Sequence, residues 1–324
     1  MAGGAVAMGG ALALAGCEKP GVVGADKRGL RVSIIGKGDA DIQLLLHAAG
    51  IQVPGFDVEY IHFDSGQLVV ESLNAGALDY GGMSEIPPVF AAASTTQSFR
   101  EIAVTHGDVN NQVVLVPRGS EIESLADLKG KRVGYVRATT SQYFLIRMLR
   151  SVGLTWADIT PVTLGIADGT AAFSSGRLDA WAIYGFPIQR AMSTQGARIL
   201  KTALGFLSGN YILAAHIDAL ADPVKSDLIG RYLRITKRAY AWAAAHPDHW
   251  AEVVASDIGV PLAEVRDQFR RRSDSSSLRP VDVSAIASQQ AVADMFARQK
   301  IIPKAVDVRP LWDARFNSII VEKV

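Results

Sequence analysis

Six short stretches combine glycine or small residues with hydroxyl, amide, basic or carboxylate side chains. They are Gly36-Lys37-Gly38-Asp39, Asp64-Ser65-Gly66-Gln67, Gly82-Met83-Ser84-Glu85, Arg137-Ala138-Thr139-Thr140-Ser141, Asp168-Gly169-Thr170 and Tyr184-Gly185-Phe186-Pro187. Such groups can hold a tetrahedral or planar oxyanion by hydrogen bonds, without a fixed countercharge. Thr139-Thr140-Ser141, with successive hydroxyls at one helix start, is the most suggestive, although any single Ser or Thr reads equally well as an N-cap. Catalytic groupings are scarce. The six histidines lie far apart, and His246-Pro247-Asp248-His249 falls at a helix break, where surface residues are expected. No HExxH, GxSxG or Walker motif occurs. Gly36-Lys37-Gly38 lacks the third glycine and the acidic residue of a dinucleotide fingerprint. Asp39, Asp41 and Glu85 show no spacing that marks an acid/base pair, and Arg270-Arg271-Arg272 reads as a solvated helix end.

The chain that must position these groups has 324 residues, enough for two domains or two large lobes. It is 49% hydrophobic and 20% charged, with 33 Lys+Arg against 32 Asp+Glu and a net charge of +1. That balance argues against a nucleic-acid or polybasic membrane-surface protein. The single cysteine, Cys17, excludes a disulfide framework and a cysteine-based zinc site. No apolar run of the length needed to span a bilayer is present. Residues 1–16 are small, apolar and uncharged, and Leu14-Ala15-Gly16-Cys17 resembles the bacterial lipobox, which implies a signal peptide over 1–16, a lipidated Cys17 and a tether over 17–29. The positive n-region of an export signal is missing. With that reading the protein works outside the cytoplasmic membrane, at the periplasmic side or the cell surface.

The elements come in two copies. Leu30–Ile35 reads as a buried strand, followed by a helix with Ile42, Leu45, Leu46 and Ala49 on one face before Gly50. About a hundred residues later Lys131–Val136 is again a strand, and Leu145, Met148, Leu149 and Val152 repeat the helical spacing before Gly153. Gly76-Ala77-Leu78-Asp79 closes the next helix in the first copy, and Gly176-Arg177-Leu178-Asp179 does so in the second. Strands alternating with short helices imply an α/β fold of βαβ units. After His216 the pattern turns helical, over 224–245, 262–272 and 284–299, with Ser284 as N-cap of the last and Val292, Met295 and Phe296 as its apolar stripe. This tail is expected to pack on the first lobe. The expected division is 30–116 plus 213–324 for lobe I and 117–212 for lobe II, with crossings near Val116 and Asn210. Ligands of such sheets sit beyond the carboxyl ends of the strands, where helix starts present unpaired N–H groups, so the six stretches would face one cleft.

Long stretches then resemble a known family, the extracytoplasmic solute-binding proteins of ABC importers for aliphatic sulfonates, taurine and nitrate. The resemblance spans about 30–316 and is carried by YGGMSEIPPVFAAA (80–93), by VVLVPRGSEIESLADLKGKRVGYVRATTSQYFLIRMLRSVGLTWADI (113–159), by SSGRLDAWAIYGFPIQRA (174–191) and by QQAVADMFARQKIIPKAVDVRPLWDARF (289–316). It implies a two-lobed periplasmic-binding-protein fold of type II, each lobe an open, mainly parallel sheet flanked by helices. It further implies a sulfonate held by Gly66-Gln67, Ser84-Glu85, Asn111 and Thr139-Thr140-Ser141, with Tyr184 or Phe186 on its organic part. Lys37, Asp39 and Ser65 complete the expected ligand-binding set. Implied partners are the anionic ligand, a permease and its ATPase, and the membrane through the lipid alone. No cofactor, metal or nucleic acid is expected, and a monomer is. Many relatives have Trp-Asp-Pro where this chain has Tyr184-Gly185-Phe186-Pro187, so a carboxylate is lost; Glu85 is the remaining acid that could meet an amine such as that of taurine. Binding proteins for nitrate, taurine or pyrimidine-type ligands, a sensor-input domain, and desulfinase-like or thiamine-pyrimidine-synthase-like enzymes are the competing readings. Those enzymes carry cysteines, and this chain has none after residue 17.

Overall fold

The computed structural model describes Met1 and residues 29–53, 55–94 and 97–322. The leader and Cys17 lie outside the described residues. Lobe I begins with β1 (Gly29–Ile35), α1 (Ile42–Ala48), β2 (Asp57–Phe63), α2 (Gly66–Asn74), β3 (Tyr80–Ser84), α3 (Pro87–Ser94) and β4 (Phe99–His106). After β5 (Gln112–Val116) the same order returns as β6 (Arg132–Tyr135), α4 (Thr140–Ser151), β7 (Thr160–Thr163), α5 (Ile166–Ser174), β8 (Ala180–Tyr184), α6 (Pro187–Gln195) and β9 (Arg198–Thr202). The remainder is β10 (Asn210–His216), α7 (Ile217–Ala221), α8 (Pro223–Ala245), α9 (Pro247–Ile258), α10 (Leu262–Arg270), β11 (Ser277–Arg279), α11 (Val283–Arg298) and α12 (Asn317–Val321). No helix among the described residues is long and apolar enough to cross a membrane.

One sheet has the order β11-β4-β10-β3-β1-β2, the other β7-β6-β8-β5-β9. Each has a parallel part, β2-β1-β3 or β7-β6-β8, beside an antiparallel strand that arrives from a crossing, β10 or β5. Both sheets are therefore mixed. The first crossing runs over 107–111 and not near Val116, because β5 pairs with β8 and β9 in the second sheet. The second runs over 203–209 and delivers all of β10, from Asn210, to the first sheet. All five residues of β5 are buried. A strand apolar on both faces reads the same whichever sheet covers it, so its pattern could not say on which side of a crossing it falls.

The tail returns to lobe I, where Leu228, Tyr232 and Leu233 of α8 and Trp250 and Val254 of α9 share one core with Leu30, Leu45 and Tyr80. His246-Pro247-Asp248-His249 lies exposed at the break between α8 and α9, as expected, and Pro247 starts α9, whose Trp250, Val254 and Ile258 bury one stripe. Two local expectations differ. The N-cap of α11 is Asp282, accepting from Ala285 N at 2.8 Å, not Ser284. Asp168-Gly169-Thr170 lies inside α5, and a Cβ on Gly169 would come within 3.0 Å of Trp181, so this glycine serves packing rather than a loop.

The duplicated Gly-x-Leu-Asp motif is a clamp. Gly76 and Gly176, at φ of +68° and +69°, turn the chain out of α2 and α5, and Leu78 and Leu178 plug the two cores. Asp79 then accepts the backbone N–H of Arg31 at 2.9 Å and its guanidinium at 2.9 and 3.1 Å. Asp179 accepts the same groups of Arg132 at 2.7, 2.7 and 3.0 Å. Each clamp ties the first strand of a repeat, β1 or β6, to the start of its third, β3 or β8, side by side in the sheet.

Candidate ligand-binding cleft

The carboxyl ends of the parallel strands of both lobes open onto a cleft of about 290 Å³. On the lobe II side the loop before α4 is closed by its own side chains. Ser141 Oγ accepts the N–H of Val136 at 3.0 Å, Thr139 Oγ1 donates to the Val136 carbonyl at 2.8 Å, and the Gln142 amide accepts from Ala138 N at 2.8 Å. Ala138 is held at φ +57°, a conformation that costs energy for a residue with a Cβ and here aims the helix start. Ser141, wholly buried, is therefore a fastening of the loop and does not line the cleft. Thr139 and Thr140 do line it. No described residue accepts from the first N–H groups of α4, at Thr140 and Ser141, so this helix start turns unpaired donors and the positive end of its dipole outward.

Asn111, in the first crossing, lines the cleft with its Oδ1 taken by Gln189 Nε2 at 2.7 Å and its carbonyl by Gly185 N at 3.1 Å. Its Nδ2 is left as a donor. Tyr184 and Phe186 line the same wall. Burial pushes the Tyr184 hydroxyl up to about 12, against a smaller opposite pull from its hydrogen bond with Thr139, so it stays neutral. Phe186 also packs on the lobe I core and joins the two walls.

Lobe I supplies Lys37, the one cation among the described residues that line the cleft, with Asp39, Gly66 and Ser84. A Cβ on Gly66 would lie 2.9 Å from that of Met83, so only glycine lets the start of α2 approach the β3–α3 turn this closely. Asp39 is already matched: Arg272 lies 2.6 Å away and Trp250 Nε1 donates at 2.7 Å. Arg272 is thus not part of a solvated helix end; it stacks over Phe269, while Arg270 and Arg271 stay exposed. Asp108 accepts from the N–H groups of Asn110 at 2.8 Å and Ser273 at 2.9 Å.

Ser65, Gln67 and Glu85 stand outside the lining. Gln67 is exposed and bonds Glu71 along its own helix at 3.0 Å. Glu85 is 3% exposed and held by Ser208 at 2.6 Å and Ser288 at 3.2 Å, with burial raising its carboxyl to about 7. It is fastened to the second crossing segment instead of facing the cleft. Lining residues that the pattern reading did not name include Asp108, Gln112, Gln189, Tyr232, Thr236 and Tyr240. The last three recur at i, i+4 and i+8 on α8, a stripe visible in the sequence but indistinguishable there from core.

Residues 52–250 match the family described as NMT1/THI5 like. A protein of Escherichia coli (strain K12) named for binding aliphatic sulfonates is 31% identical over 261 residues, covering 80% of each chain. One of the same name from Bacillus subtilis (strain 168) is 26% identical over 318 residues, covering 96% of this chain and 94% of that one. Among solved structures, the alkanesulfonate-binding protein SsuA from Xanthomonas axonopodis pv. citri bound to MOPS superposes with a TM-score of 0.80 at 27% identity, covering 88% of this chain and 98% of that one. With the two-lobed architecture and with more than half its length matched, the chain belongs to the NMT1/THI5-like family.

Proposed function

We propose that this protein is the extracytoplasmic substrate-binding component of an ABC importer, that it holds a small organic sulfonate between its lobes, and that it hands the sulfonate to a permease. The observation that carries this reading is the convergence of the bare α4 start, the Thr140 hydroxyl, the Asn111 amide and Lys37 on one cleft whose two lining acids are already engaged, Asp39 by Arg272 and Trp250 and Asp108 by the N–H groups of Asn110 and Ser273. Many oriented dipoles spread the anion's charge, so it is held without a tight buried ion pair. The names of the relatives support sulfonate as the anion. Transport follows from a population shift, in which an open form meets ligand on one wall and contacts from the other wall favour closure only when ligand is present. Glu85 is not the partner of an amine such as that of taurine, because it points to Ser208 and Ser288.

The lipobox-like stretch adds a lipid anchor on Cys17, with permease and ATPase as partners and a monomer as the working unit; metabolic labelling with palmitate checks the anchor, and an unlabelled chain removes it. The central test is a thermal-shift and calorimetry series on the full chain with ethanesulfonate, MOPS, taurine, sulfate and nitrate. A ligand at 100 times its Kd adds about 2.7 kcal/mol of stability. A rise in Tm with a sulfonate that is recovered unchanged is the expected result. Absence of any rise across all sulfonates overturns the reading.

A further inference from the structure

Each crossing passes from one lobe's hold to the other's between adjacent residues. In the first, Asp108 accepts from the N–H groups of Asn110 and Ser273, Val109 N donates to Ser273 Oγ at 2.8 Å, and Asn110 Nδ2 donates to the Arg271 carbonyl at 2.7 Å, all on the lobe I tail. The next residue, Asn111, is held by Gly185 and Gln189 of lobe II. In the second crossing, Ala203 N donates to the Gln112 carbonyl at 2.8 Å, and the Phe206 carbonyl accepts from Arg147 Nη1 of α4 at 2.6 Å, both on lobe II. Leu207 N still bonds the Ala203 carbonyl at 3.1 Å. Ser208 then belongs to lobe I: its Oγ donates to Glu85, its carbonyl lies 3.1 Å from His106 Nε2, and the Gly209 carbonyl after it accepts from Gly107 N at 3.0 Å. The fastenings thus leave two junctions between the lobes, Asn110–Asn111 and Leu207–Ser208. A few torsions between rigid elements suffice to absorb a rotation of one lobe against the other. Beside Asn111, Gln112 Nε2 donates across the lobes to Tyr211 Oη at 2.7 Å, a contact close enough to the junctions to move little when the lobes turn.

The helix α4 connects the second junction to the ligand wall. Its start, at Thr140, faces the cleft. One turn on, Tyr143 and Ile146 share an apolar cluster with Val89 of α3 and Phe296 of α11, across the lobe boundary, and Tyr143 meets Phe296 edge to face at 5.7 Å. Two turns from the start, Arg147 lies over the Tyr143 ring at 5.7 Å and grips Phe206, and it stands outside the cleft lining.

Resting on the closure reading above, we propose that the lobes turn about the Asn110–Asn111 and Leu207–Ser208 junctions, and that Arg147 is a positioning residue: it touches no ligand, but it ties α4, whose start meets the anion, to the lobe II segment that ends at the second junction. With Arg147 in place, a shift of α4 toward the anion turns the Leu207–Ser208 junction. Without it, the segment 203–207 yields instead, and each closure has to order residues that the parent chain already holds.

Three full-length chains test this: the parent, Arg147→Met, which keeps an apolar stem over Tyr143 and loses the donor, and Arg147→Lys, which keeps a donor. The first readout needs no ligand. In amide hydrogen exchange, Arg147→Met should speed Phe206 and Leu207, whose N–H groups bond the Ala203 carbonyl, by about tenfold, while Leu145 and Leu149 inside α4 exchange as in the parent. The second readout is calorimetry with ethanesulfonate and MOPS. Both should bind Arg147→Met about threefold to tenfold more weakly than the parent, and Arg147→Lys should restore most of the loss. Parent-like exchange at Phe206 and Leu207 in Arg147→Met overturns the inference, and so does parent-like affinity. Faster exchange throughout α4 together with a lower Tm would assign Arg147 to the stability of lobe II and overturn it as well. If neither sulfonate binds the parent, the sulfonate reading falls, and the exchange result alone upholds or overturns the junction at Leu207–Ser208.

Discussion

Lobe II meets the cleft with the uncapped start of a helix and a row of hydroxyls and amides; lobe I meets it with the tyrosine-lined flank of α8, a helix that has no counterpart in the other lobe. Behind these unlike faces the two lobes repeat one order of strands and helices and one Arg–Asp clamp. The repeated parts set the frame, while the parts present once, the tail and the crossings, supply what differs between the walls. Burial differs as well. The Asp79 side chain is 4% exposed and also takes Lys225 at 2.6 Å, whereas Asp179 is 31% exposed and serves Arg132 alone.

The comparison breaks most severely at Asp79. Burial by itself would raise this carboxyl, but Arg31 and Lys225 hold it below the usual carboxylate range. Asp79→Ala strands two cations, one of them well buried, and should cost about 3 kcal/mol in urea unfolding. The same change at Asp179 should cost a small fraction of that, because its partner is solvated and a surface pair contributes little. Equal losses at the two sites would show that burial does not set the strength of the clamp. The sign with pH follows: a carboxyl depressed in the folded state contributes stability above its unfolded pKa and loses it as acid protonates the folded form.

A second difference lies beneath the lobe I sheet. Glu101 is fully buried, bonded to Gln289 at 2.7 Å, and burial raises it to about 8; Glu85, near it, is raised to about 7. These shifts have the opposite sign from that of Asp79. Between about pH 4.5, the ordinary value, and pH 8 the folded chain keeps protons that the unfolded chain releases, so stability falls as pH rises through that window. Glu101→Gln should flatten the upper part of this fall and stabilise the protein at pH 8, on the order of 2 kcal/mol. A variant with the parent's pH profile would show that Glu101 does not titrate there.

Much of the frame was legible before the structure. Leu45, Leu46, Leu145 and Leu149 marked their helices by spacing, and the paired Gly-x-Leu-Asp motifs located the helix ends, since a positive φ after a helix favours glycine. Strand ownership was not legible, because β5 is apolar on both faces and its partners are set by three-dimensional closure. Among site residues, Lys37, Asp39, Gly66, Ser84, Asn111, Thr139, Thr140, Tyr184 and Phe186 line the cleft, while Ser65, Gln67, Glu85 and Ser141 do not. The loops were found by their composition, but composition cannot tell which of two neighbouring hydroxyls turns inward. That distinction depends on where the backbone of residues 136–142 needs acceptors.

Thr140 and Ser141 sharpen this point as the smallest of the expected effects. Adjacent in sequence and alike in chemistry, they occupy opposite sides of the α4 start. Ser141→Ala removes the acceptor of a buried N–H, that of Val136, and should lower stability by about 1–2 kcal/mol; ligand affinity should fall only as far as the loop loosens. Thr140→Ala removes a hydroxyl that lines the cleft and has no hydrogen-bonding partner among the described residues, so stability should stay within about 0.5 kcal/mol. Sulfonate affinity should drop about tenfold, the value of one hydrogen bond to a charged group. Urea unfolding and calorimetry on the two single variants separate these roles. If Thr140→Ala destabilises the fold while Ser141→Ala weakens binding alone, the division between fastening and recognition at this helix start is reversed, and the wall of lobe II has been assigned to the wrong hydroxyl.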